Sequence, residues 1–402
     1  VIRVLGFGHL VALGINSVIG AGIFIVPGPL ARLGVASVFV FLLAGILLHP
    51  IALCFAHLGR LTDRSGGAYA YAHMAFGPIT GFLVGWVTWI TAVLSTSTVG
   101  SAVAIYLTYL EPRMAAYSVH CGVFAICVFG VINYLGVRAG GRTTEVLTVL
   151  KTVPLVLIGI CSVFYVRPET FSLPESLSNS IFGMPILMTI FTCCGFEVVP
   201  YIAGETKKPK EYVPKAILIS LWVPILLYCL IQLGILAGGS TSDNALTDQA
   251  RFLWGETGAI LVNATGLISV IGFLAGTILG APRLLMVLAE DHPLPKTLLA
   301  IHPRYQTPHV SIVVTTIAAA GFALIGDIGS LIELTSLAFL LQFFASTVAL
   351  YILARLGRTR GRVAAVLGTL VTCFFLAQVN MASWLVFVLV SLVGLLFRAY
   401  RR

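Results

Sequence analysis

The chain alternates long apolar runs with short polar ones. An apolar run of about 20 residues is the length that crosses a bilayer as α-helix. Twelve such runs are predicted as helical spans, over 6–26, 35–58, 79–107, 118–135, 145–166, 180–203, 213–237, 258–289, 309–326, 329–355, 362–379 and 381–398. The longest connections are 59–78, 238–257 and 290–308, too short for a separate soluble domain. Residues 1–402 are therefore expected to form one all-α unit. The first run is too long for a signal peptide and carries no small-residue cleavage site, so it is expected to be a retained span.

Two of the runs are interrupted. In the first, Ile19-Gly20-Ala21-Gly22-Ile23-Phe24 sets two glycines near the middle, each weakening helix by about 1 kcal/mol relative to Ala. A helix can open inside lipid only where other groups satisfy the freed N–H and C=O groups. The resuming half then begins with free N–H groups and a partial positive charge, which suits a carboxylate. Close packing between helices explains the two glycines equally well. The sixth run repeats the interruption in Phe191-Thr192-Cys193-Cys194-Gly195-Phe196-Glu197. Breaks five spans apart, in matching positions of two halves, are the pattern of a transporter with inverted repeats. No residue-level repeat accompanies them, so the symmetry rests on the breaks.

Composition agrees with the pattern. Apolar residues make up 58% of the chain and charged residues 10%, against about 25% charged in soluble domains. Mean hydropathy is +1.02. The lipid bilayer is thus an expected partner. The net charge of +9 raises nucleic acid as another, but its distribution argues against that. With the N-terminus cytoplasmic, only Arg32, Arg113, Arg167 and Arg251 face out; Lys151 lies within a span and the rest of the 24 Lys and Arg face in. That asymmetry is the positive-inside rule, and the cationic groups are spread over many loops. The eight cysteines all lie in apolar runs with no CxxC among them. No disulfide framework, no disulfide-linked partner and no metal site is expected. GxSxG, HExxH, Walker A and strand-linked Rossmann patterns are absent, so neither an enzyme nor a cofactor is expected. Nothing suggests the ring of like groups of a channel filter.

Few polar groups lie inside the spans. Lys151 lies in the fifth, where a charge costs about 2.5–3.5 kcal/mol on insertion scales; such a lysine can carry a proton, or it can snorkel to the nearby cytoplasmic end. Glu197, just past the sixth-span break, can couple to protons or accept the freed backbone N–H groups. Glu333 is expected to be wetted at the external start of the tenth span. Pro154, Pro185, Pro224 and Pro282 are expected to kink their spans. His9, His49 and His57 read as helix or interface residues, and Cys193-Cys194 as small packing groups.

Together these pieces resemble the amino acid–polyamine–organocation transporters, which share the leucine-transporter type fold. The resemblance is carried by Gly20 to Phe24, Ser65-Gly66-Gly67-Ala68-Tyr69-Ala70-Tyr71, Gly81-Phe82-Leu83-Val84-Gly85-Trp86 and Phe191 to Glu197. Gly204-Glu205-Thr206-Lys207-Lys208-Pro209, Gly280-Ala281-Pro282-Arg283 and Ala289-Glu290-Asp291-His292-Pro293-Leu294-Pro295 continue it. It covers residues 6 to about 355; the last two spans carry no motif. It implies two five-helix inverted repeats, about 6–166 and 180–355, with peripheral helices at 362–398. It also implies that Gly20, Ala21 and Gly22 hold a substrate carboxylate through backbone N–H groups. Carbonyls around Ile19 and Phe191 to Cys194 would hold the amino group, with Ile23, Gly195 and Thr96 lining the site and Phe191 gating it. Lys151 matches the lysine that replaces sodium between spans 1, 5 and 8 in sodium-independent members, and its ammonium is expected to donate to the free carbonyls near Val18 and Ile19. Segment 59–78 would lie near the inner gate, and 240–256 would be an external lid. Cys193 stands where a bulky residue is common, and His292 where Gly is usual. Thr91, Ser95 and Gln342 are further candidate linings. No acidic residue lies mid-membrane in spans 3, 8 or 10, so a neutral substrate is expected.

The resulting expectation is a proton-coupled, sodium-independent amino acid permease of the cell membrane. An exchanger of the same fold, or a membrane receptor or enzyme that only binds a small amine-carboxylate, are the alternatives.

Overall fold

The computed structural model describes the backbone of residues 3, 5–64, 66–136, 141–171, 184–292 and 294–399. Ser65, Arg138, residues 180–183 of the predicted sixth span, Pro293, Arg401 and Arg402 lie outside the described residues. Among the described residues the regular structure is α-helix and 3-10 helix, with one isolated bridge between Leu5 and Thr206.

The first span is α1 (Phe7–Val18), a three-residue opening, then α2 (Gly22–Ile25) and α3 (Pro27–Ala31). There follow α4 (Ala36–Gly59), the short α5 (Ala68–Phe76), α6 (Pro78–Leu110), α7 (Ser118–Tyr134) and α8 (Gly141–Val163). The second half runs α9 (Met184–Cys193), a 3-10 segment (Phe196–Glu205), α10 (Pro209–Gly238), α11 (Ala245–Asp291), α12 (His309–Ile325) and α13 (Ile328–Arg355). α14 (Arg362–Leu376) and α15 (Met381–Ala399) complete it.

Local sequence explains the ends. Pro78 and Pro209 stand at first helical positions, where the missing N–H has no partner to lose. Gly239 closes α10 at φ +74°, a conformation costly for any side chain. Asp327 accepts from the Ser330 N–H and caps α13.

Each of the twelve predicted runs contains helix. Among the described residues nine helices are long and apolar enough to cross a membrane, or ten if α14 and α15, turned by 111° to one another, count as one broken span. α12, at 17 residues, falls just short. Three expectations are corrected. Helix α5 occupies part of the predicted loop 59–78. The predicted external segment 240–256 is mostly helical, because α11 starts at Ala245 and bends at Trp254 and Gly255 rather than beginning at 258. Glu333 is buried rather than wetted: its two carboxylate oxygens accept from the Asn380 backbone N–H (2.8 Å) and side-chain amide (2.6 Å), which ties the α14–α15 turn to α13.

Packing follows a regular scheme. α4 lies along α10, α6 along α11 and α7 along α12. α1 touches α8 while α9 touches α13; α8 touches α11 while α6 touches α13. The breaks of the first and sixth spans meet at the centre of this arrangement.

Candidate functional site

The first break is held open by side chains from three other helices. Helix α1 ends with the Ile19 N–H donating to Ile15, and the Gly20 N–H turns back to Val18 (2.8 Å). The resumed helix makes its first bonds from Phe24 to Ala21 and from Val26 to Gly22. The N–H groups of Ala21, Gly22 and Ile23 thus lie outside its ladder. The freed carbonyls at the end of α1 are met by donors. Lys151 Nζ, on α8, donates to the Asn16 carbonyl (2.7 Å) and to the Ile19 carbonyl. Ser269 Oγ, on α11, reaches the carbonyls of Ile19 (3.0 Å) and Gly20 (3.1 Å) and lies 3.5 Å from Lys151 Nζ. Tyr228, on α10, donates its hydroxyl to the Val18 carbonyl (3.0 Å).

Lys151 is fully buried. Its contacts are to the carbonyls of α1, not to the nearby helix end that a snorkelling lysine would seek. Hydrogen bonds from a charged donor contribute about 1.5–3 kcal/mol each. Two such bonds offset a sizeable part of the cost of burying the ammonium and pin α8 to α1.

The second break is built differently. α9 ends with the Cys194 N–H donating to Ile190 (2.9 Å), and Gly195 takes φ +128°. Glu197 folds back so that its Oε2 accepts from the Gly195 N–H (2.9 Å), with the side chain buried. A methyl group on Gly195 would stand 2.5 Å from the Ser17 carbonyl carbon and 2.6 Å from the Val18 nitrogen. Glycine is thus required there both by its φ and by the close approach of α1. Gly22 leans on the same element: a methyl there would lie 2.8 Å from Thr192 Oγ1 and 2.9 Å from its Cα. At Gly20 the nearest atom to such a methyl is the Phe273 ring at 3.5 Å, an ordinary contact.

The structure brings together Ile19, Gly20, Ala21, Gly22 and Ile23 with Thr192, Cys193, Cys194 and Gly195, all buried. Phe191 is also buried, one residue from Thr192. Thr96 Oγ1 lies 2.7 Å from the Ala92 carbonyl oxygen and 3.1 Å from Thr277 Oγ1 of α11, so the hydroxyl is turned toward α11. Gln342 accepts from the Tyr201 hydroxyl at 3.2 Å. Below the second break Phe196 stacks on Phe343 at 5.5 Å, with Phe55 edge-on to both. On the same side Tyr69 of α5 donates to Asp291 Oδ2 (2.5 Å) at the end of α11; burial, then that carboxylate, push its hydroxyl pKa up. His9 lies 3.4 Å from Glu145, and His49 accepts from Trp222.

Sequence reasoning missed Ser269, Tyr228 and Asn16. Each is one of a few polar residues in a largely apolar span. Hydroxyls in such places commonly bond back to their own helix, as Thr88, Thr91 and Thr265 do here. Only the position of α1 distinguishes Ser269 from them.

These features define an integral, multi-pass helical membrane protein whose two interrupted spans meet in its interior. The model of the family described as "Amino acid permease" matches residues 5–400, and the chain belongs to that family. Its architecture is therefore the leucine-transporter type, and it is a transporter rather than an enzyme. Among relatives, the serine/threonine exchanger SteT of Bacillus subtilis is 28% identical over 87% of this chain and 83% of its own. The methylthioribose transporter of the same organism is 25% identical over 88% and 81%. The vacuolar cationic amino acid transporter 4 of Arabidopsis thaliana is 27% identical over 86% of this chain and 62% of its own.

Proposed function

We propose that the protein is a sodium-independent, proton-coupled permease for a neutral amino acid. The observation that carries this reading is the Lys151 ammonium on the Asn16 and Ile19 carbonyls beside Ser269. A cation already fixed there repels a sodium ion seeking the same oxygens. Protonated, Lys151 holds α1 against α8. On losing its proton it gives up the charge-assisted donors, and the broken span is freed to move against the scaffold. The substrate carboxylate binds at the N–H groups of Gly20, Ala21 and Gly22, with Ile23 beside them. The amino group binds carbonyls of Ile19 and of Phe191 to Cys194, with Phe191 as the gate and Gly195 and Thr96 bordering the site. Glu197 serves coupling through the backbone it holds at Gly195.

The two halves 6–166 and 180–355 form inverted repeats, a reading supported by the matching contacts of spans five apart; 362–398 is peripheral. The N-terminus is cytoplasmic and the protein sits in the cell membrane, as the placement of Lys and Arg suggests.

Neutral selectivity rests on the buried carboxylates. Both oxygens of Glu333 are engaged by Asn380, which leaves no free acidic partner in spans 3, 8 or 10 for a cationic side chain. Glu197, in span 6, accepts from the Gly195 N–H through Oε2, and its buried Oε1 has no hydrogen-bond partner among the described residues. The similarity to a serine/threonine exchanger of Bacillus subtilis favours exchange as a second reading. Uptake of labelled amino acids into proteoliposomes checks both. Alanine, serine or leucine is expected to outcompete arginine and lysine, with accumulation above protein-free vesicles. Arginine outcompeting them contradicts neutral selectivity, saturable binding without uptake contradicts transport, and uptake only into preloaded vesicles selects exchange.

A further inference from the structure

At the arginine-rich end of the molecule, α4 and α10 leave a groove between them. Its floor is apolar, made by Leu53 and Ala56 of α4 and Pro214 and Leu218 of α10; Arg60 and Lys215 stand at its rim. The turn between α13 and α14 closes over its edge: a methyl on Gly361 would lie 2.9 Å from the His57 ring. A second hollow begins there, bordered by Gly357, Thr359 and Arg360. The two hollows thus adjoin at His57, with exposed guanidinium groups on both sides.

The charge around them is one-sided. Lys215 is paired with Glu211 at 3.3 Å. Arg60, Arg358 and Arg360 make no ion pair among the described residues. No Asp or Glu follows Glu333 in the sequence, whereas seven arginines do. Away from the rim, the two helices expose Ile46, Leu43 and Leu226. Ile46 stands about 21 Å along α4 from Arg60, at 1.5 Å per residue, so the apolar path runs well into the hydrocarbon core.

A cationic rim over an apolar groove that continues into the membrane matches one kind of molecule. We propose that this face binds an anionic phospholipid, its phosphate between Arg60 and Arg360 and an acyl chain along the α4–α10 groove. Basic pockets between spans are where acidic headgroups collect. The site ties the α13–α14 turn to α4, and through α4 to the phenylalanine cluster below the second break. It requires no particular substrate and stands independently of the coupling mechanism.

The test titrates the purified protein in neutral detergent with phosphatidylglycerol, with phosphatidylcholine of the same acyl chains, and with inorganic phosphate, counting bound lipid by native mass spectrometry. Phosphatidylglycerol is expected to be retained over phosphatidylcholine and not to be displaced by phosphate. Each arginine near an acidic headgroup contributes about fivefold, so Arg60→Ala/Arg360→Ala is expected to lose most of that preference. Arg113→Ala, in the turn between α6 and α7, keeps it. The single variants Arg60→Gln and Arg360→Gln, which keep much of the side chain's bulk, give the same reading should the double variant aggregate. Equal retention of the two lipids, displacement by phosphate, or an unchanged preference in the arginine variants overturns the site.

Discussion

Lys151 is the residue on which the interior depends, and it was legible in the sequence because a charge inside an apolar run needs a reason. Its partners were legible in part: the freed carbonyls near Val18 and Ile19 were expected, and the Ile19 carbonyl is one of the two it meets, with Asn16 in place of Val18. Main-chain carbonyls carry no residue signature, and the hydroxyl of Ser269 is indistinguishable in sequence from those that bond back within their own helices. The two glycines of the first break were equally visible but are not equivalent in space. Gly22 is closed in by Thr192, so any side chain there collides with α9 before substrate is considered. Gly20 has room for a methyl. Gly20→Ala is therefore expected to fold normally and remain monodisperse while binding substrate about tenfold more weakly, about 1.4 kcal/mol, because the methyl obstructs approach to the backbone N–H groups. Gly22→Leu is expected to lose thermal stability as well as binding. Unchanged affinity in a well-folded Gly20→Ala protein contradicts the carboxylate site.

Among the elements, the interrupted spans were readable from Gly, Cys and Glu in otherwise apolar runs, whereas the start of α11 was not. Its first turns carry Asp248, Arg251 and Glu256, which read as a loop. Arg251 pairs with Asp248 and Glu256 and reaches the Tyr109 hydroxyl of α6, so the charges are spent within a folded outer segment. Glu333 misled for the opposite reason: its partner, Asn380, lies 47 residues away in a turn without a motif. The cap of α13 offers a test at this scale. The Asp327 carboxyl pKa is lowered, first by the Ser330 hydroxyl and then by its backbone N–H. A carboxyl pKa depressed by folding adds stability above its unfolded value and loses it as pH falls through the folded one. Asp327→Ala is expected to cost about 1 kcal/mol at neutral pH, as loss of an N-cap does. The difference in melting temperature from wild type should shrink as pH drops below about 3.8, the ordinary value for Asp. A gap that stays constant as pH is taken well below that value contradicts a charged cap.

For the molecule as a whole, the positions of the twelve apolar runs were clear from hydropathy alone, while the number that cross the membrane was not. Hydropathy marks where apolar runs lie; it does not register the 111° turn between α14 and α15 or that the α12 helix stops at seventeen residues. The central claim is that the Lys151 ammonium occupies the place of a coupling cation and lets a proton control the α1–α8 contact. Uptake of a neutral amino acid into proteoliposomes, with sodium replaced by choline and external pH varied, tests it most directly, with wild type and Lys151→Ala side by side. The account predicts wild-type uptake that is unaffected by the replacement and changes with pH, and a folded Lys151→Ala protein whose uptake no longer follows pH. Wild-type uptake that needs a sodium gradient, or a variant with the wild-type pH profile, would contradict it.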